Sequence, residues 1–147
     1  MARYSSGARS TGPGTNLLPT LSLYAAAAVG GRIRELGLFN TTAVACAVAL
    51  YRLTTAGTSN AISSVGKHDP ASAAASCTPR DTHTSTGPTV GDNLGYRASL
   101  GAAIGSGVIW TFGDSGLLIP VGTANGIGII VPTGTGQILD WWVTWDE

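Results

Sequence analysis

Charged side chains are scarce in this sequence. Asp, Glu, Lys and Arg make up 11% of the 147 residues, against roughly 25% in typical soluble domains. Eight basic and eight acidic residues leave no net charge, and no basic run is longer than Arg32-x-Arg34. Electrostatic binding to nucleic acid is therefore poorly supported, and we expect no nucleic-acid partner. A surface with so little charge also offers little repulsion against self-association.

Long apolar runs and cysteines are also few. The longest apolar run, Ala43 to Tyr51, is too short to cross a bilayer, so we expect no membrane partner. The N-terminus has no apolar core of a secretory signal, which predicts synthesis in a cytoplasm. The only cysteines, Cys46 and Cys77, match no metal or redox spacing, and this favours free thiols over a disulfide.

Short stretches typical of β-strands make up most of the chain. Residues 20–26 alternate apolar and polar side chains with the period of two expected of a half-buried strand. Gly-rich turns separate further segments of this kind. The predicted strands, about eight in number, cover residues 20–26, 32–39, 43–54, 96–102, 108–112, 117–120, 127–131 and 138–146. They predict an all-β, single-domain antiparallel β-sandwich of the jelly-roll type over residues 20–147.

Two segments lie outside this strand pattern. Residues 1–19 are rich in Gly, Ser, Thr and Pro without apolar periodicity, which predicts an extended N-terminal arm ordered by a neighbouring subunit or partner. Residues 56–90 form a long polar loop, in which Asp69–Ser76 predicts a short helical turn. We expect this loop to cover one end of the sandwich or to contact a partner.

Two apolar features do not suit a simple solvated sheet. In the segment 43–54, Ala45, Ala47 and Ala49 form a face of small residues opposite the larger side chains. In the last segment, Trp142 shares its face with polar residues. We therefore expect Ala45, Ala47, Ala49 and Trp142 to form contacts between subunits. The four tryptophans could instead form a sugar-stacking platform, although such residues more often lie in a core or an interface.

The stretch Gly113-Asp114-Ser115-Gly116 matches the residues around the nucleophilic serine of chymotrypsin-like proteases. A serine nucleophile needs a base and a third group that orients the base. The two histidines, His68 and His83, lie in the polar loop, outside the sequence setting of that family. The Gly-Pro that usually follows the motif is replaced by Leu117-Leu118. We therefore predict a hairpin turn here and no catalytic residue.

The polar loop also contains candidate metal ligands. His68, Asp69, Asp81 and His83 supply two imidazoles and two carboxylates, which suit a divalent metal. Nothing in their spacing enforces convergence, so we expect ordinary polar loop residues and neither a metal nor another cofactor. The stretches GTANGIG and PTGTGQ lack the Lys-Ser/Thr end of a phosphate-binding loop and are expected to form turns.

Three stretches together resemble small structural proteins of tailed bacteriophages and prophages. They are LPTLSLYAAAAVGGRIRELGLFNTTAVACAVALYRLTTAGT, LGYRASLGAAIGSGVIWTFGDSGLLIP and GTANGIGIIVPTGTGQILDWWVTWDE. The likeness covers most of the chain from Leu18 to Glu147 except the loop 59–89. It is a likeness of overall texture to jelly-roll virion components, with no active-site residues to transfer.

The resemblance implies a non-enzymatic virion protein, of the capsid decoration (cement) or minor capsid type. Its partners would be the major capsid protein or other virion proteins, with Arg3, Tyr4 and Arg9 contacting the shell. Copies of the chain would form a homo-oligomer, with a trimer as the first expectation. The alternative is a tail-associated module that recognises a host-surface glycan through exposed aromatics and the loop with His68, Asp69, Asp81 and His83.

Overall fold

The computed structural model describes residues 1–60 and 64–147, and in these ranges the chain forms strands and no helix. The strands are β1 Arg3–Arg9, β2 Leu21–Tyr24, β3 Gly31–Asn40, β4 Cys46–Leu53, β5 Val65–Lys67, β6 Thr78–Arg80, β7 Val90–Leu100, β8 Gly107–Thr111, β9 Leu117–Ile119, β10 Gly126–Ile130 and β11 Leu139–Asp146. The described residues contain no helix that is long and apolar enough to span a membrane.

Two antiparallel sheets pack against each other. The first has the order β5-β1-β11-β3-β8, with β9 also pairing with β3, and the second has the order β6-β2-β10-β4-β7. Strands β1 to β4 alternate between the sheets, and the first strand pairs with the last. The predicted all-β antiparallel sandwich is confirmed, and this strand order is consistent with a jelly roll.

The core between the sheets is built from alternate residues of each strand. In β11, Leu139, Trp141, Val143 and Trp145 are all buried. The Trp145 ring stacks on the Tyr4 ring of β1, with centroids 5.8 Å apart. Burial of a large apolar side chain contributes roughly 1.5–3 kcal/mol, so this strand holds the first sheet firmly on the core.

The N-terminal segment differs from the extended arm expected over residues 1–19. Arg3–Arg9 form β1, which pairs with β11 from Arg3 to Arg9 and with β5 over Tyr4 to Ser6. The chain itself therefore orders this segment, whereas the sequence predicted order through a neighbouring subunit. The sequence does not reveal β1, because Tyr4 is its only large apolar residue and because its partner strand, β11, is at the other end of the chain. Residues 10–19 continue without a strand.

The long loop contains more structure than expected. Strands β5 and β6 lie within it, and β7 begins at Val90, ahead of the predicted segment 96–102. At Asp69 the chain makes one hydrogen-bonded turn and no helix: the Ser72 N–H donates to the Asp69 carbonyl at 3.0 Å, and the Ala71 N–H donates to Asp69 Oδ1 at 2.9 Å. Residues 61–63 of the predicted loop lie outside the described residues.

Candidate functional site

The outer face of the second sheet is covered by the chain's own loop. Leu21 and Leu23 of β2 face the core, so Ser22 and Tyr24 point to the outside of the sandwich, yet both are buried. Ser22 Oγ lies 2.8 Å from His83 Nε2, and the Tyr24 hydroxyl donates to the Thr55 carbonyl at 2.9 Å. We call this surface, formed by Ser22, Tyr24 and their covering partners, the covered face.

His83 is the centre of the covered face. Its side chain is 1% exposed, and its Nδ1 has no hydrogen-bond partner among the described residues. Burial, with a smaller contribution from Arg80, lowers the pKa of His83 to about 4. The imidazole is therefore neutral near pH 7, and it joins the loop to the sheet through Ser22.

The pair of Ser22 and His83 is not arranged as a catalytic dyad. Both side chains are 1% exposed, so a substrate cannot reach the hydroxyl. A catalytic base is also oriented by a third group. The neighbouring carboxylate, Asp81, instead accepts from the Thr11 N–H at 3.0 Å and from the Thr82 hydroxyl at 3.4 Å. The pair acts as a buried polar connection between loop and sheet.

The four candidate metal ligands of the loop lie in two different environments. His68 and Asp69 are exposed at the turn that follows β5, whereas Asp81 and His83 are buried. Over residues 1–60 and 64–147, no group of three or more His, Cys, Asp or Glu side chains is placed to hold a metal ion. Cys46 and Cys77 are free thiols, and both are buried.

The outer face of the first sheet is open to solvent. Two rows of residues run in register across β1, β11, β3 and β8 on this side. The rows are Gly7, Trp142, Gly37, Ile109 and Arg9, Asp140, Phe39, Gly107. Ile109 is 51% exposed, and Arg9 is exposed as well. We call the surface formed by Arg9, Phe39, Ile109, Asp140 and Trp142 the open face.

Two aromatic rings lie flat on the open face. A Cβ atom at Gly37 would overlap the indole Nε1 and Cε2 of Trp142 and come within 2.9 Å of Cζ2. A Cβ at Gly107 would likewise come within 2.9 Å of Phe39 Cε1. Glycines on the neighbouring strands therefore let both rings lie down across the sheet. The result is an apolar patch of low relief.

Ion pairs border this patch. Arg9 binds Asp140 through two hydrogen bonds of 2.7 and 2.9 Å, which lower the pKa of Asp140. Arg3 binds Asp146 through bonds of 2.8 and 3.2 Å, and Arg34 adds a bond of 2.6 Å. Hydrogen bonds from Arg3, followed by those from Arg34, hold the pKa of Asp146 below its usual value against the opposing effect of burial. Arg9 and Asp140 thus neutralise each other, whereas Arg3 and Arg34 share the single carboxylate of Asp146.

The structure brings together three of the residues predicted to make contacts. Arg3, Arg9 and Trp142 all lie on the outer side of the first sheet, which only the pairing of β1 with β11 could reveal. Tyr4 is different, because it is 3% exposed, packs on Trp145, and donates its hydroxyl to the Ala73 carbonyl at 3.0 Å. Contact between Tyr4 and a shell would require β1 to leave the sheet.

The three alanines do not form one surface: Ala47 and Ala49 belong to β4 of the other sheet, and Ala45 lies just before this strand. Ala45 is exposed and Ala47 is half-buried, and both line a shallow groove of about 220 Å³ with Ser99 and Leu100. Ala49 is 0% exposed, so the chain itself already covers it. In this structure Ala49 has no surface to offer to a second subunit.

The GDSG segment is a turn, but it does not join a hairpin. Strands β8 and β9 both pair with β3, so the segment projects between two parts of one interrupted edge strand. Gly113 and Gly116 have φ values of +61° and +62°, which favour glycine. The Gly116 N–H donates to the Gly113 carbonyl at 3.2 Å. Arg32 Nη1 donates to the Ser115 carbonyl at 2.9 Å and so connects the turn to β3.

The tryptophans do not form a single exposed cluster. Trp141 and Trp145 lie in the core, and Trp110 is half-buried beside Tyr96, with ring centroids 5.9 Å apart. Phe39 and Ile109, which complete the open face, were not predicted, although each has the strand parity that would place it beside Trp142.

Compared with known proteins, the chain matches no family model, no curated protein and no solved structure.

Proposed function

We propose that this chain is a non-enzymatic structural protein of a bacteriophage particle, of the capsid decoration or minor capsid type. It would be made in the host cytoplasm and would reside in the virion. The observation that carries the proposal is the outer side of the first sheet, where Arg3 lies on the same side as Arg9 and Trp142 of the open face. A flat apolar patch beside the one-to-one pair of Arg9 and Asp140 suits a protein partner, since burial of the patch leaves neither of these two charges unpaired.

The partners in this proposal are the major capsid protein or other virion proteins, and further copies of the chain. The low charge of the sequence supports close association, because few charged groups would lose hydration at a contact. A trimer is the form of self-association that the resemblance implies. The alanine groove and the open face are on different sheets, so one copy presents two separate surfaces.

The alternative is a tail-associated module that recognises a host-surface glycan. One observation favours it: Trp142 and Phe39 lie flat and half-buried beside the hydrogen-bonding pair of Arg9 and Asp140. Such an arrangement suits the apolar face of a sugar ring with hydroxyls at its rim. The residues expected to take part do not converge, because Trp141 and Trp145 lie in the core and His83 is buried on the covered face.

Sedimentation with particles that lack this protein tests the proposal. The wild-type chain should co-sediment at a saturable ratio, and Trp142→Thr should weaken binding by about tenfold or more, because the ring supplies most of the flat patch. Tyr51→Thr is the matched control, since Tyr51 is a half-buried aromatic on the second sheet. Deletion of the first fifteen residues is unsuitable, because it removes β1 from the sheet.

Three outcomes contradict the proposal in different ways. If the wild-type protein does not co-sediment with the particles, the proposed structural role is wrong. If Trp142→Thr and Tyr51→Thr weaken particle binding equally, the open face is not the contact surface. Binding to purified host-surface polysaccharide that requires Trp142, without binding to particles, transfers the function to the glycan module.

A further inference from the structure

Edge strands end both sheets, and three of them carry features that discourage pairing with another chain. Strand β5 is three residues long and includes Lys67. Strand β6 is equally short and includes Pro79, which cannot donate to a ladder. Strand β7 is longer, but it carries Asp92 and Arg97 and is interrupted at Gly95, where φ is +82°. Charges, proline, short length and irregular backbone are the usual protections of an edge.

Strand β8 has none of these protections except modest length. Its sequence, GVIWT from Gly107 to Thr111, contains no charge, no proline and no positive φ. Gly107, Ile109 and Thr111 are exposed. An uncharged, regular edge strand with exposed β-branched side chains is a ready template for another strand.

The backbone groups of β8 that face outward can be identified from its pairing with β3. The Phe112 N–H donates to the Arg34 carbonyl at 2.9 Å, and the Ser106 carbonyl accepts from the Asn40 N–H at 2.7 Å. Because the direction of these groups alternates along a strand, the N–H and C=O of Gly107, Ile109 and Thr111 point away from β3. These outward groups lie symmetrically about Ile109.

We propose that a second copy of this chain docks on β8 through its own β8, in the antiparallel direction, about a two-fold axis at Ile109. Ile109 then faces Ile109 of the second copy in a hydrogen-bonded pair, and Gly107 faces Thr111. The first sheets of the two copies become one continuous sheet. This inference deepens the proposed function and rests on its self-association, but not on attachment to a shell.

The chemistry of β8 matches a second copy well. The spacing of outward groups is symmetric, so an identical strand in the opposite direction offers an acceptor to every donor. No charged side chain enters the new ladder, and Ile109 lies next to Ile109 in the row that contains Trp142 and Gly37. At the ends of the ladder, the Thr111 side chain of the other copy meets Gly107 and the Phe39 ring that lies over it.

The length of β8 favours one register, because only pairing about Ile109 uses all three outward-facing residues. Gly105 and Gly113 have φ values of +85° and +61°, so the extended backbone ends on both sides of β8. The ladder therefore spans five residues, from Gly107 to Thr111. A two-fold contact of this kind uses the same edge on both copies and closes it. By itself it produces a dimer, in contrast to the trimer that the resemblance implies.

Sedimentation equilibrium of the purified full chain over a concentration series tests the inference. We expect a dimer, and we expect Ile109→Lys and Ile109→Glu each to raise the dissociation constant by about tenfold or more, because like charges then lie directly opposite. An equimolar mixture of the two variants should recover the dimer, since Lys then faces Glu. Ile104→Lys is the control, because Ile104 is 77% exposed but lies outside the ladder.

Hydrogen exchange supplies a second readout that does not depend on the variants. The amides of Gly107, Ile109 and Thr111 should exchange slowly at high protein concentration and quickly on dilution. An oligomer that survives both Ile109 variants, or one without this protection, overturns the β8 contact and leaves self-association through another surface. A monomer at every concentration overturns the β8 contact together with self-association, while particle binding of the monomer would keep the shell-attachment part of the proposed function.

Discussion

The covered face and the open face are the outer surfaces of the same sandwich, yet polar residues are buried on the first and aromatic rings are partly exposed on the second. On the covered face, polar groups such as Ser22 and His83 are nearly inaccessible under the loop. On the open face, the rings of Trp142 and Phe39 remain partly exposed beside ion pairs. The path of one loop, rather than the polarity of the strands, therefore decides which outer surface is available to a partner.

Acidification should produce the largest effect, and it acts through the covered face. The pKa of His83 is about 4 in the folded protein, against roughly 6.5 in an unfolded chain. The unfolded state therefore takes up a proton as the pH falls through 6.5, while the folded state stays neutral down to about pH 4. Stability should be complete above pH 6.5 and decrease by about 3 kcal/mol by pH 4.

Urea unfolding at pH 7, 5.5 and 4 measures how steeply the free energy of unfolding falls with pH. His83→Gln should flatten it, because the amide does not titrate and can still bond Ser22. The matched control is His68→Gln, since His68 is exposed at a turn and should leave the slope unchanged. Equal slopes in the wild type and His83→Gln would show that the covered face does not depend on a neutral imidazole.

A methyl group added beneath an aromatic ring compares the two faces directly. At Gly126 a Cβ would lie 2.6 Å from Cδ1 and Cε1 of Tyr24, whose ring is buried and whose hydroxyl is bonded to Thr55. That ring cannot move, so Gly126→Ala should cost about 2 kcal/mol of unfolding free energy. Gly37→Ala should cost less than about 1 kcal/mol, because the Trp142 ring can swing into solvent.

Thermal unfolding gives the two costs, and acrylamide quenching of tryptophan fluorescence reports the position of the Trp142 ring. Quenching should rise in Gly37→Ala and stay unchanged in Gly126→Ala. Equal costs for the two substitutions would mean that the rings are equally confined and that the open face is covered after all.

The ion pairs of the first sheet should show the smallest effects. Asp146 is buried and accepts from Arg3 and Arg34, so Asp146→Asn should cost about 1 kcal/mol at pH 7. Asp140→Asn should change stability too little to measure, since its pair with Arg9 is exposed and screened by salt. Denaturant melts at low and high salt test both, and a large loss in Asp140→Asn would contradict the description of the open face.

Alternation in the sequence was enough to place the strands that bury one face. The predicted segments 20–26, 32–39, 43–54 and 138–146 contain β2, β4 and β11, and cover most of β3. The same alternation put Trp142 on the outer face of the last strand. These predictions succeeded because a strand that packs on a core must repeat its apolar residues with a period of two.

The elements that the sequence did not reveal depend on partners distant in the chain. Strand β1 contains a single large apolar residue, Tyr4, and is ordered by its pairing with β11. Strands β5 and β6 are three residues long, too short to show a period. The burial of His83 and the exposure of His68 likewise follow from where the loop crosses the second sheet, which local composition does not encode.

Residue type and spacing are enough to specify the all-β character, the inward and outward sides of the long strands, and the glycines that permit turns. These properties are local, because they depend on residue type and on a period of two. The tertiary structure alone decided that β1 completes the first sheet, that Arg3, Arg9 and Trp142 share one face, and that β8 is left as an unprotected edge. Each of these depends on the register between strands that are far apart in the chain.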